Sequence, residues 1–81
     1  MANLRDYVVK AYNMLPSPKL VRKVAIEGEI EEAEALAETL AGEYRLVLID
    51  TGQGHELKTY WEGDEVRGTV AHMARTAAGE K

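Results

Sequence analysis

The sequence predicts an α+β fold: a two-layer α/β sandwich in the order α-β-α-β-β-β, closed by a short C-terminal helix. Three observations lead there. Apolar residues recur at helical spacing in 3–15 and again in 30–41. Leu46-Val47-Leu48-Ile49 is apolar on both parities, as a covered strand is. The segments that follow alternate between apolar and polar residues and are broken by glycine turns.

The first helix is expected over Asn3 to Leu15. Leu4, Val8, Ala11 and Leu15 fall at i, i+4, i+7 and i+11, and Tyr7 and Met14 widen the stripe. Asn3 is the expected N-cap, with Asp6 in the capping-box position. Pro16-Ser17-Pro18 ends the element, because neither proline continues a helix. Lys19 to Ile30 is then read as a strand. Leu20, Val24, Ile26 and Ile30 share one parity, while the other is mostly polar. The alternative is a single helix from Ser17 through Ala41, which would place Gly28 in its interior at about 1 kcal/mol.

Glu31 to Ala41 is the clearest helix. Ile30, Ala33, Leu36, Ala37 and Leu40 make its apolar stripe. Glutamates crowd its first turn, where the helix dipole favours negative charge, and Gly42 follows as a stop. Tyr44 to Asp50 reads as the central strand, joined to the previous one by a parallel strand–helix–strand unit. Thr51 to His55 is a turn, Glu56 to Trp61 a strand, and Glu62 to Glu65 a hairpin turn. Val66 to Ala71 returns as the last strand, Ala71 to Ala78 forms the final short helix, and residues 79–81 are expected as a frayed tail. The 81 residues make one small domain.

Composition narrows the chemistry. There is no cysteine, so disulfides, thiolate metal sites and thiol catalysis are excluded. No apolar run reaches the length of a membrane span, and the first residues lack a signal core, so a cytoplasmic protein is expected. Ten basic against fourteen acidic residues argue against a general nucleic-acid binder. The charge is also segregated. Residues 27–43 hold seven glutamates and no lysine or arginine, so that segment is −7, while the remaining seven acids and ten bases leave +3 elsewhere. The exposed side of the central helix, with Glu31, Glu34 and Glu38, is therefore an acidic face suited to steering a basic partner.

Two fragments resemble known signatures. Asp50-Thr51-Gly52 after an apolar strand resembles the aspartic protease motif, in which two copies each supply one carboxylate to activate water. The resemblance covers only those three residues. It departs at Gln53, and that family is nearly all β, so the residues are read as a buried strand ending in a polar turn, with Asp50 bonded to backbone amides. Leu15-Pro16-Ser17-Pro18 is similar to the Cys-Pro-x-Pro of small sulfur-carrier proteins but lacks the nucleophilic cysteine, and that family is not assigned. Gly52-Gln53-Gly54 has no helix after it to complete a phosphate loop and is read as a hairpin turn.

The candidate ligand residues are Asp50, His55 and Glu56 at the end of the central strand, where a metal or an acid/base pair could form. Two histidines seventeen apart make a poor metal set, and neither metal nor cofactor is expected. His55 reads as a solvated turn residue and His72 as lying near the C-terminal cap. Tyr60 and Trp61 are adjacent on a strand and must point to opposite faces, one toward the core and one outward as an interface anchor.

The functional expectation is a non-catalytic protein-interaction module, a regulator, inhibitor or accessory subunit. It would dock through Glu31, Glu34, Glu38 and the Tyr60–Trp61 face onto a protein partner or a second copy. A homodimer is expected because both faces of residues 46–49 demand cover that so short a chain is not expected to supply. Two other readings stand beside it. One is a small dimeric enzyme or ligand binder built on Asp50, His55 and Glu56. The other is a nucleic-acid accessory protein using Lys19, Arg22, Lys23 and an exposed aromatic.

Overall fold

A computed structural model of the chain describes residues 5–79. The element order is β1 (Arg5–Asn13), β2 (Lys19–Gly28), α1 (Ile30–Ala41), β3 (Leu46–Thr51), β4 (Glu56–Trp61), β5 (Asp64–Val66) and α2 (Gly68–Ala77). One five-stranded sheet holds all the strands in the order β2-β1-β3-β4-β5, every neighbouring pair antiparallel. The two-layer sandwich that begins with a helix is therefore corrected. The fold is β-β-α-β-β-β-α, with a helix on each face of the sheet.

The first element is a strand rather than a helix. Tyr7, Val9 and Ala11 are buried on one face, and Val8, Lys10 and Tyr12 occupy the other. Paired valines and aromatic residues suit a pleated surface better than a helix. β1 is also hydrogen-bonded on both sides, to β2 and to β3. The residues read as its cap, Asn3 and Leu4, lie outside the described residues. Pro16-Ser17-Pro18 closes a β1–β2 hairpin, with the Leu15–Pro16 peptide cis.

β2 and β3 flank β1 and both run antiparallel to it, so they run parallel to each other, linked by α1. The parallel unit read from the sequence is present in direction, but β1 lies between its two strands. α1 starts at a Glu29 N-cap, where the Glu29 N–H donates to the Glu32 carboxylate at 2.9 Å in a capping box. It buries Ala33, Ala37, Leu40 and Ala41 on Tyr7, Val9, Ala11, Val47, Ile49 and Tyr60. Small alanines let the helix approach the sheet closely.

The other face of β3 carries Leu46 and Leu48, which pack with Tyr12 and with Ala74 of α2, flanked by Met14, Trp61 and Ala78. A strand was expected over Val66 to Ala71. Instead β5 stops at Val66 and α2 begins at Gly68. The alternation of Val66, Gly68 and Val70 was a coincidence of three residues, whereas Val70, Met73, Ala74 and Ala77 repeat at helical spacing. The β4–β5 connection is a two-residue turn of Glu62 (φ 52) and Gly63 (φ 91), the left-handed pair that a twisted hairpin requires.

The premise of the homodimer expectation falls here. Leu46, Val47, Leu48 and Ile49 are all 0% exposed within a single chain, because α2 roofs the face that was thought to need a neighbour. No described helix is long and apolar enough to cross a membrane.

Candidate functional site

Asp50 ends β3 where the β3–β4 register slips. Ile49 opposes Lys58, but Asp50 opposes Glu56, so Leu57 is the extra residue of a bulge. That slip offers backbone carbonyls to a side chain instead of to the ladder, and Arg75 of α2 takes them. Its guanidinium is 3% exposed and donates to Asp50 Oδ1 at 2.8 Å, to Thr59 Oγ1 at 2.8 Å, to the Lys58 carbonyl at 2.9 Å and to the Ile49 carbonyl at 3.4 Å. The other Asp50 oxygen faces Lys10 Nζ at 3.6 Å, and Glu56 Oε1 lies 3.8 Å from Arg75 Nε. A planar five-donor group is the side chain that can satisfy a carboxylate, a hydroxyl and two carbonyls together. No buried side-chain polar atom among the described residues is left without a partner.

The three candidate ligand residues are thus divided. Asp50 and Glu56 meet across the strands and share Arg75. The expected backbone-amide partners of Asp50 are replaced by two cations. His55 is exposed in the turn, its N–H donating to Thr51 Oγ1 at 3.0 Å. The turn itself is the expected hairpin connection. The Gly52 N–H donates to the Asp6 carbonyl at 2.8 Å, and a Cβ at Gly52 would meet the Asp6 side chain at 2.8 Å. No group of three or more metal-ligating side chains occurs among the described residues. His72 sits in the middle of α2 and is exposed, rather than at its C-terminal cap.

Tyr60 and Trp61 do point to opposite faces. Tyr60 is 4% exposed beneath α1, and its burial pushes the phenol pKa up. Trp61 is half-buried on the α2 side. The acidic helix is only partly a free face. Glu34 pairs with Lys58, which also faces Glu65 at 3.6 Å. The hydrogen bond that Lys58 donates to Glu34, reinforced by the charges of Glu34 and Glu65, holds the Lys58 pKa above the usual lysine range. Glu32 is held in the capping box, while Glu31 and Glu38 are exposed. Lys19, Arg22 and Lys23 are exposed on β2, and β1 and β3 separate that strand from the one bearing Trp61.

An apolar hollow that the sequence reading missed lies between α2 and β4. Trp61, Val70, Met73, Ala74 and Ala77 line a space of about 320 Å³. Val70 is 53% and Met73 63% exposed at its mouth. The spacing of Val70, Met73 and Ala77 carried that signal, but assigning 66–71 to a strand hid it. Arg75 was missed for another reason: its partners Asp50 and Thr59 lie 25 and 16 residues away.

Comparison with protein-family models, curated proteins and solved structures gives no match.

Proposed function

We infer that the chain is a non-catalytic protein-interaction module that receives an apolar side chain of a protein partner in the α2–Trp61 hollow. The observation that carries this reading is the pair Val70 and Met73, one helical turn apart and largely exposed beside a half-buried tryptophan. A folded chain with a satisfied interior has no packing reason to keep two large aliphatic side chains together in water, and such patches mark docking surfaces. The Asp50 carboxylate at the end of β3 supports the same reading, since Arg75 and Lys10 give it a structural task.

The test uses the only tryptophan of the chain, which lines the hollow. Displayed peptides are selected on the wild-type chain and counter-selected on Met73→Asp. Selected peptides should carry aliphatic or aromatic anchors, shift the Trp61 emission, and bind Met73→Asp at least about tenfold more weakly while the helix signal stays unchanged. Peptides that bind both chains equally, or that lose binding only on charge reversal of Glu31, Glu34 and Glu38, would remove the hollow from the argument.

A further inference from the structure

β2 forms one edge of the sheet, away from the α2 hollow. β2 is ten residues long and, among the described residues, has no neighbour on its outer side. Its pairing with β1 slips at Ala11/Tyr12 and is regular from Arg22 to Gly28. Ala25 is the middle of that regular stretch. Around it, Val24 and Ile26 are half-buried on the α1 face, opposite Val9 and Tyr7. Lys23, Ala25 and Glu27 are exposed on the other face, over the part of the sheet that α2 leaves uncovered.

Within one chain those charges are badly placed. Lys23 lies directly opposite Lys10, whose ammonium faces Asp50 at 3.6 Å, and Glu27 lies directly opposite Asp6. Like charges facing each other across a strand pair are destabilising. Lys23, Glu27 and Asp6 make no ion pair among the described residues.

We propose that two copies of the chain join β2 to β2 in an antiparallel pair about a two-fold axis at Ala25. Directly opposed residues in such a pair share the same hydrogen-bonding sense, so the axis of a symmetric pairing passes through a residue and not between two. Centred on Lys23, the pairing sets Lys23 against itself. Centred on Val24, it sets Lys23 against Ala25 and leaves Glu27 against Val21. Centred on Ala25, it sets Lys23 against Glu27 of the second copy, Val24 against Ile26, and the smallest side chain against itself at the axis. Each like-charge pair then gains an opposite-charge pair beside it. The row across the joint reads Lys10, Lys23, Glu27, Asp6, and it occurs twice. The half-buried Val24 and Ile26 gain cover, the outward N–H and C=O groups of residues 22–28 find partners, and the two five-stranded sheets become one.

Sedimentation of the whole chain across micromolar to submillimolar concentration tests this, with helix and Trp61 signals checking that each variant folds. The wild type should show a monomer–dimer equilibrium that weakens with salt. Lys23→Glu turns both joint contacts repulsive and should weaken the dimer by at least about tenfold, as should Glu27→Lys. The double exchange Lys23→Glu/Glu27→Lys should restore it to within about threefold of wild type. Because the chain has no cysteine, Ala25→Cys should give a disulfide-linked dimer under mild oxidation, while Gln53→Cys, in the exposed β3–β4 turn, should not. A strict monomer at every concentration, a dimer untouched by Lys23→Glu, a double exchange that fails to recover it, or a dimer broken by Met73→Asp would each overturn the proposal.

Discussion

Replacing Arg75 with methionine asks how much of the fold hangs on one buried guanidinium. Methionine matches its length and its helix propensity, so the change isolates the polar head. Four acceptors lose a donor: the Asp50 carboxylate, the Thr59 hydroxyl and the carbonyls of Lys58 and Ile49. Asp50 is 4% exposed and would keep only Lys10, at 3.6 Å, as a charged partner. Removing one member of a buried ion pair costs about 3–5 kcal/mol. The orphaned carbonyls and hydroxyl add further cost where water cannot reach them, so the total should be at least about 3–5 kcal/mol. A domain of this size has roughly 4–12 kcal/mol in all. The expected result in urea, followed by Trp61 emission and by circular dichroism, is a midpoint lowered by about 2–4 M, or a chain already unfolded in buffer. Arg75→Lys keeps the charge but loses the fork, and should fall between the two. Pairing Arg75→Met with Asp50→Leu should be less harmful than the sum of the single changes by at least about 1 kcal/mol, because each removes the reason for the other. If Arg75→Met lies within about 1 kcal/mol of wild type, the guanidinium is not what fixes α2 to the sheet, and the structural role assigned to Asp50 fails with it.

Stability should fall as pH rises above about 10. Lys58 and Tyr60 both have raised folded-state pKa values, so the unfolded chain releases their protons first; the contribution is whole below that pH and is lost as pH climbs through the folded values, and Lys58→Met with Tyr60→Phe should flatten the alkaline limb of a melting-temperature profile. Gly28→Ala would drive a Cβ into the Glu32 carboxylate and break the α1 capping box, at about 1 kcal/mol in chemical denaturation, and the same change should cost less in a Glu32→Ala background. Leu48→Ala, fully buried on the central strand, should cost about 2–5 kcal/mol, whereas Leu57→Ala, in the bulge and 40% exposed, should cost under about 1 kcal/mol.

What the sequence allowed to be read, and what it concealed, follows from the range of the interactions involved. α1 was legible because its stripe, its cap and its stop are all local. β3 was legible because four aliphatic residues in a row leave no polar side for a surface helix. β1 was misread because Val8 and Tyr12 put apolar residues on the α2 side as well as the buried Tyr7, Val9 and Ala11 on the α1 side, which blurs the alternation that marks a strand; Leu4, Val8, Ala11 and Leu15 then matched a helical stripe by chance. The site was concealed for a related reason. Asp50 stood out as a strand-end carboxylate expected to bond backbone amides, yet its partner comes from α2, and nothing local to either residue announces the pairing. The same holds for the β2 edge. Lys23 and Glu27 look like ordinary surface charges on a polar strand. Only the register that places them against Lys10 and Asp6 turns them into two like-charge pairs, the observation on which the proposed β2–β2 joint rests. Composition carries the count of charges, and strand register decides which of them face a neighbour of the same sign.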